Sequence, residues 1–113
     1  MSTTPTLPVL EPSLDEDFQS RSQPLPPWNV ILLDDNDHTY EYVVEMLLKL
    51  FGHPLEVCWL MAREVDMTGR VIVCTAHRER AELEQQRIHA YGADWRIARC
   101  RGSMSAILEP AVG

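Results

Sequence analysis

The sequence predicts an α+β fold, a small sandwich of three helices packed on a three- to four-stranded, mostly antiparallel sheet. Three observations predict it: short aliphatic runs rich in β-branched residues, longer segments with apolar residues at helical spacing, and the order of these segments. That order is strand, helix, helix, strand, helix, strand (βααβαβ), which favours helices gathered against one sheet. The 113 residues provide material for one domain with a single core.

The first 27 residues differ in composition from the rest of the chain. They contain most of the eight prolines together with Ser, Thr and an acidic patch, and their apolar residues are sparse and follow no period. Such a segment buries too little apolar surface to offset the conformational entropy that folding would cost. We therefore predict a disordered, proline-rich acidic extension over residues 1–27 and a folded domain over residues 28–113.

The first strand and the first helix are joined by an acidic turn, residues 34–37. The run WNVILL, Trp28 to Leu33, is aliphatic and β-branched, which is typical of a buried strand. The DDND sequence that follows prefers a turn, because its side chains compete for nearby backbone groups. Asp37 or Thr39 can then cap a helix from about Tyr40 to Phe51. The apolar stripe of that helix consists of Val43, Met46, Leu47 and Leu50.

The remaining elements alternate between helix and strand. In order, the sequence predicts a helix from His53-Pro54 to about Val65, a turn over 66–69, a strand over 70–75, a helix from His77 to about Tyr91, and two short strands over 95–100 and 104–108. The last two could also form one strand that is broken at Arg101-Gly102. Trp28, Trp59 and Trp95 are predicted to pack in the core, since apolar residues flank each of them.

Composition and spacing argue against several functions. The formal charge is -7, with 17 acidic against 10 basic residues, which disfavours nucleic-acid binding and favours a cationic ligand. The chain has no run near the roughly 18 apolar residues of a membrane span and no secretion signal, so we expect a cytoplasmic protein that binds no membrane. Cys58, Cys74 and Cys100 lack CxxC spacing and are predicted to be reduced core thiols. Because no nucleophile with a nearby base, phosphate loop or zinc pattern occurs, we expect no catalysis, metal or cofactor.

The acidic turn taken alone admits three interpretations. A phosphoacceptor receiver would need a lysine at the end of a later strand, whereas the only lysine, Lys49, lies in the first predicted helix. A calcium loop would place Asp34, Asn36, His38 and Glu45 at its ligand positions, but it would have Thr39 where a glycine is needed. The third interpretation is that these acids only solvate a turn and favour the start of a helix.

Read with its flanks, the segment from Trp28 to Ala111 resembles the ClpS adaptor family. The resemblance rests on VILLDDNDHTYEYVVEMLLKLF, on the turn EVDMTGRVIV, on the helix opening TAHRERAE and on the ending GSMSAILEPA. It implies a monomeric, non-enzymatic adaptor without a cofactor. Such an adaptor binds the N-degron of a substrate, which is its destabilising N-terminal residue, and delivers the substrate to a Clp-type AAA+ unfoldase for ATP-dependent degradation.

The resemblance also implies roles for individual residues. Asp34 and Asp66 would accept hydrogen bonds from the α-amino group of the substrate, and Asp35 would help to hold the backbone of the incoming peptide. Glu79 would contact the unfoldase. The pocket for the first side chain would be lined by Tyr40, Val43, Ala62, Val65 and Met104.

Three positions depart from the family pattern. Position 34 is usually asparagine, position 66 is usually histidine and position 40 is commonly methionine, whereas this chain has Asp34, Asp66 and Tyr40. These departures leave an alternative open, a ClpS-like module that docks on the protease but recognises something other than a bulky N-terminal residue. The extension over residues 1–27 also has two interpretations, a segment that helps substrate handover or an inert solubilising tail.

Overall fold

The computed structural model describes residues 25–112, and most of the predicted N-terminal extension lies outside them. The elements are β1 (Trp28–Leu33), α1 (Tyr40–Phe51), α2 (Leu55–Thr68), β2 (Arg70–Ala76), α3 (Arg78–His89) and β3 (Ala106–Pro110). Their order, βααβαβ, is the predicted one. Among the described residues, no helix has the length and apolar character that crossing a membrane requires.

The sheet has three strands in the order β2-β1-β3, and both pairings are antiparallel. β1 is the central strand, and its three middle residues, Val30 to Leu32, are fully buried. β2 alternates between buried Val71 and Val73 and exposed Ile72, as expected for a strand with one solvated face. The predicted fold class, three helices on a mostly antiparallel sheet, is therefore confirmed.

Helix α1 occupies the predicted residues, because local signals define both of its ends. The Thr39 hydroxyl accepts a hydrogen bond from the Tyr42 N–H at 3.1 Å, which caps the first turn. Gly52 ends the helix in the left-handed conformation with φ of 67°. The core face of α1 consists of Tyr42, Val43, Val44, Met46 and Leu47.

Helix α2 is longer than predicted. It continues through Asp66 to Thr68, and the predicted turn over 66–69 is wrong. The Thr68 hydroxyl donates to the Glu64 carbonyl at 2.8 Å, which supports the last helical turn. The first residue outside the helical conformation is Gly69, with φ of 91°. Asp66 is therefore a residue of the last turn of α2 and not of the following loop.

The predicted strand over residues 95–100 is also wrong. This segment forms successive tight turns, in which the Ile97 N–H donates to the Asp94 carbonyl and the Cys100 N–H donates to the Ile97 carbonyl. Trp95, predicted to be a core residue, is 80 % exposed. The second predicted strand is present but shifted, and β3 spans Ala106–Pro110.

Buried Asp94 holds this irregular segment against the start of α1. Its carboxylate accepts hydrogen bonds from the Thr39 N–H at 2.7 Å, from the Thr39 hydroxyl at 2.8 Å and from the Arg96 N–H at 3.0 Å. Burial alone would raise the pKa of Asp94, but the bonds from Thr39 and Arg96 outweigh it and lower the pKa. The chain is thus anchored at Thr39, two residues after the end of the acidic turn.

Candidate functional site

The structure brings Asp34 and Asp66 together through a main-chain contact. The N–H of Asp34, the first residue after β1, donates to the carbonyl of Gly69 at 3.0 Å. Gly69 follows the end of α2 directly, so the end of β1 lies against the helix turn that contains Asp66. The positive φ of Gly69 is one that glycine adopts without steric cost. Two residues that are 32 positions apart in the sequence are therefore held at one place.

The charges at this place are unbalanced. Burial is the main cause that raises the pKa of Asp34, and the negative charges of Asp66 and Asp35 raise it further against a lowering bond from the Asp35 N–H. Within residues 25–112, neither Asp34 nor Asp66 forms an ion pair. The structure thus collects negative charge here without a cationic side chain to match it.

The position of Asp66 on its helix adds to this imbalance. The C-terminal end of a helix carries partial negative charge and leaves its last carbonyls without partners in the helix. A basic residue would be favourable there, yet the last turn of α2 contains none. A carboxylate at this end costs stability unless a cation binds to it, and the arrangement suits a small cationic group that has several N–H donors.

Beneath these acids lies an apolar cluster that contains the predicted pocket residues. Val43 is 3 % exposed, Ala62 1 %, and Val65 and Met104 2 % each, and all four belong to the core. The Tyr40 hydroxyl donates to Oδ2 of Asp66 at 2.7 Å, which links α1 to α2. Residues three and four apart share a helix face, so Tyr40 lies on the same face of α1 as Val43, and Asp66 lies on the same face of α2 as Ala62. The link between Tyr40 and Asp66 therefore runs across the cluster, whose four residues are closed to solvent.

Trp59 is a neighbour of the site that the sequence did not indicate. Its ring centroid lies 6.4 Å from that of Tyr40, and the residue is 41 % exposed. Apolar residues on both sides of Trp59 gave the pattern of a core position, so the sequence offered no signal that could have placed it at the rim. With Tyr40, it gives the closed site an aromatic border.

Asp35 and the other acids of the turn have partners within the chain. Oδ1 of Asp35 lies 2.6 Å from Nδ1 of His38 and accepts the Asp37 N–H at 2.9 Å. Asp37 forms an ion pair with Arg99 at 2.7 Å. Glu45, the last ligand of the calcium-loop interpretation, is committed to Arg96. Asp35 therefore orders the turn, whereas Asp34 has no ion-pair partner within residues 25–112 and is affected by the negative charge of Asp66.

Glu79 lies at the other end of the sheet. It is an exposed residue in the first turn of α3, and the site begins where β1 ends. Since a strand rises about 3.3 Å per residue, the six residues of β1 separate the two places by roughly 20 Å. Glu79 borders a groove of about 500 Å³ that is lined by Leu25, Pro26, Trp28, His77, Arg78 and Glu79. The structure thus groups eight of the nine predicted site residues around one location, with Glu79 apart.

The family model described as ATP-dependent Clp protease adaptor protein ClpS matches residues 23–95. The ATP-dependent Clp protease adapter protein ClpS of a Nostoc species is 30 % identical over 93 residues, which cover 81 % of this chain and 91 % of the relative. The protein of the same name from Mycobacterium marinum is 30 % identical over 77 residues, covering 68 % and 76 %. Agrobacterium tumefaciens ClpS2, solved bound to L-phenylalaninamide, has a TM-score of 0.65 at 20 % identity, and the match covers 76 % of this chain and 98 % of ClpS2.

Proposed function

Because this chain belongs to the ClpS family of Clp protease adaptor proteins, we propose that it binds the N-terminal residue of a substrate and delivers the substrate to a Clp-type AAA+ unfoldase for degradation. Members of this family are adaptors, so the chain is not an enzyme. The single observation that supports the proposal most strongly is the unmatched pair Asp34 and Asp66 above a buried apolar cluster.

The α-amino group of a peptide fits this pair chemically. An ammonium ion has three donors and needs acceptors in several directions, which two carboxylates and the free carbonyls at the end of α2 can supply. Its charge also relieves the repulsion that raises the pKa of Asp34. Acetylation removes the charge and two of the donors, so an acetylated peptide would leave the two carboxylates without a matching positive charge. L-Phenylalaninamide, the ligand of A. tumefaciens ClpS2, has the free amino group and lacks the α-carboxylate, as an N-terminal residue does.

The apolar cluster would receive the side chain of the first residue. Val43, Ala62, Val65 and Met104 offer no polar partner through their side chains, so a polar first residue would lose its hydrogen bonds to water without replacement. Since these four residues are closed to solvent, Tyr40 must swing away when the ligand enters. The ammonium then replaces the Tyr40 hydroxyl as a donor to Asp66, which offsets part of the cost of opening.

Delivery needs a second surface that stays free while the pocket is occupied. The exposure of Glu79 on α3, at the far end of β1 from Asp34, supports this role for it. The neighbouring acid Glu84 is unsuited to it, because it is 2 % exposed and paired with Arg80 at 2.7 Å and with Arg87 at 2.9 Å. We propose that α3 contacts the unfoldase through its N-terminal turn. The role of residues 1–27 in handover and the cytoplasmic location stay predictions.

The decisive experiment is fluorescence anisotropy with labelled peptides that differ only in their first residue and in acetylation. We expect micromolar or tighter binding of peptides with free Leu, Phe, Tyr or Trp termini, and loss of binding when the same peptides are acetylated. Binding that is indifferent to acetylation would refute the proposal.

The alternative function, a module that docks on the protease but recognises another signal, is favoured by one observation, the Tyr40 to Asp66 bond that closes the site. It predicts that the purified chain captures the Clp unfoldase while no free N-terminal residue binds. The peptide panel and a pull-down with the unfoldase, carried out on the same preparation, separate the two functions.

A further inference from the structure

Three side chains beside the acidic turn form a chain of contacts that the proposed function does not explain. Nε2 of His38 lies 3.3 Å from Sγ of Cys100, and Nδ1 of the same ring lies 2.6 Å from Oδ1 of Asp35. The His38 side chain is only 4 % exposed, whereas Cys100 is half-buried and therefore reachable. A thiol, an imidazole and a carboxylate in this order are the arrangement that activates a cysteine nucleophile.

The groups around His38 are arranged to accept hydrogen bonds from both ring nitrogens. Nδ1 faces the carboxylate of Asp35, and Nε2 lies 2.8 Å from the carbonyl oxygen of Gly102 in addition to the sulfur. An ionised carboxylate and a carbonyl can only accept, so each ring nitrogen satisfies its partner only when it carries a proton. An N–H at Nε2 would lie between the Gly102 oxygen and the Cys100 sulfur.

Hydrogen-bond donors and a positive side chain lie close to the sulfur of Cys100. Its sulfur accepts a hydrogen bond from the backbone N–H of Asp94 at 3.1 Å, beside the contact with the His38 ring. Arg101 follows it in the chain, and the carboxylate of Asp94 is already matched by Arg96 at 3.2 Å. Reactive cysteines typically occupy such partly exposed, electropositive places.

The other two cysteines provide a reference within the same chain. Cys58 is fully buried, and burial raises the pKa of its thiol. Burial also raises the pKa of Cys74, and the negative charge of Glu84 raises it further. Both are therefore expected to stay protonated and unreactive.

We propose that Cys100 is a peroxide-reactive thiol, a modification site activated by His38, with Asp35 as the residue that positions the imidazole. The thiolate attacks one oxygen of hydrogen peroxide, so a sulfur–oxygen bond forms as the oxygen–oxygen bond breaks. The electron pair of the broken bond leaves on the second oxygen, which takes the Nε2 proton of His38. The products are a sulfenic acid at Cys100, one water molecule and a neutral His38, so that sulfur is oxidised and the peroxide is reduced.

Oxidation of Cys100 should also change peptide binding, a consequence that rests on the proposed function. The oxygen added to Cys100 lies beside the His38 ring, whose other nitrogen contacts Asp35, and Asp35 orders the turn next to Asp34. Peroxide treatment of the full-length chain should therefore weaken its binding to a peptide with a free Phe terminus. The variant Cys100→Ala should lose that sensitivity to peroxide.

The reactivity itself is tested by alkylation of the full-length chain with iodoacetamide at pH 6, with each cysteine followed by mass spectrometry. At this pH only about 0.3 % of an ordinary thiol is ionised, because its pKa is about 8.5. An activated thiolate gains in population far more than it loses in intrinsic nucleophilicity. We expect Cys100 to react about tenfold faster than glutathione and much faster than Cys74. Hydrogen peroxide followed by dimedone should label Cys100 and leave Cys74 unlabelled.

Variants of His38 and Asp35 test whether these residues cause the reactivity of Cys100. His38→Gln should reduce the rate at Cys100 about tenfold, and Asp35→Asn should reduce it less. His53→Gln is the matched control, since the ring of His53 also bonds a backbone carbonyl, that of Val73 at 2.8 Å, and it should leave the rate unchanged. Equal rates in wild type and in a folded His38→Gln variant would overturn the proposal. A Cys100 rate no higher than that of glutathione would also overturn it, whether or not the variant folds. Neither readout depends on peptide binding.

Discussion

Replacing Asp66 with Asn should move stability and peptide binding in opposite directions. The amide keeps an oxygen that can accept from the Tyr40 hydroxyl, so the link of 2.7 Å between α1 and α2 can persist. The substitution removes a negative charge from the C-terminal end of α2 and from the neighbourhood of Asp34. For an exposed charge at a helix end, this should stabilise the free protein by about 0.3 to 1 kcal/mol. The Tm would rise by about 1 to 8 °C.

Peptide binding should weaken in the same variant. A hydrogen bond to a charged group contributes about 1 to 3 kcal/mol, which corresponds to a loss of about 5- to 150-fold in affinity. Thermal denaturation followed by circular dichroism measures the first effect, and anisotropy with a free Phe-terminated peptide measures the second. Glu64→Gln is the matched control, because it removes the same charge two residues earlier on α2 and should leave affinity unchanged. A variant that loses stability, or that binds the peptide as the wild type does, would refute our assignment of Asp66 to the ammonium site.

The structure supports three further predictions. Tyr40→Phe removes the hydroxyl that competes for Asp66, so the affinity for free N-termini should increase about 2- to 10-fold, while Tyr91→Phe should leave the anisotropy titration unchanged. Peptide affinity should fall as the pH is lowered through the pKa of Asp34, which burial and nearby carboxylates raise above 3.8. It should also fall above about pH 8, where the peptide amine loses its proton. An affinity, measured by anisotropy, that stays constant across both pH ranges would exclude a carboxylate–ammonium contact. Asp94→Asn should lower the free energy of unfolding by about 1 to 3 kcal/mol. Because the pKa of Asp94 is lowered in the folded protein, the stability that its carboxylate contributes is present above pH 3.8 and is lost as the pH falls through that lowered pKa. Urea denaturation at neutral and acid pH checks it, since a difference between variant and wild type that persists at acid pH would contradict this role.

Local signals explain why most of the fold could be predicted. The ends of α1 were predicted correctly because Thr39 and Gly52 are cap residues that act on their own neighbours. The end of α2 was wrong by three residues because Asp66 to Thr68 have the composition of a turn, while the helix ends only where Gly69 takes a positive φ. Propensity is a weak guide where the tertiary structure holds the last turn in place.

Long-range contacts explain the rest. Residues 95–100 alternate like a strand, but the carboxylate of Asp94 bonds Thr39, which is 55 positions away, and draws the segment into turns. The candidate site shows the same limit. The resemblance to the family grouped Asp34 with Asp66, but the contact of Tyr40 with Asp66 that closes the pocket involves residues 26 positions apart and has no sequence signal. The contact between His38 and Cys100 is likewise visible only in three dimensions.

The hydrogen bond from the Asp34 N–H to the Gly69 carbonyl has a consequence for how this site can diverge. The spacing of the two acids is defined by main-chain atoms and a glycine, which mutations of the surrounding side chains leave in place. The side chains that would select the first residue, Tyr40 and the apolar lining, lie on the faces of α1 and α2 and can change one at a time. Under the proposed function, recognition of the amino group and selection among first residues therefore depend on different parts of the fold. Substitutions at the pocket side chains would change the selected residue and leave the main-chain contact that holds the two acids in place.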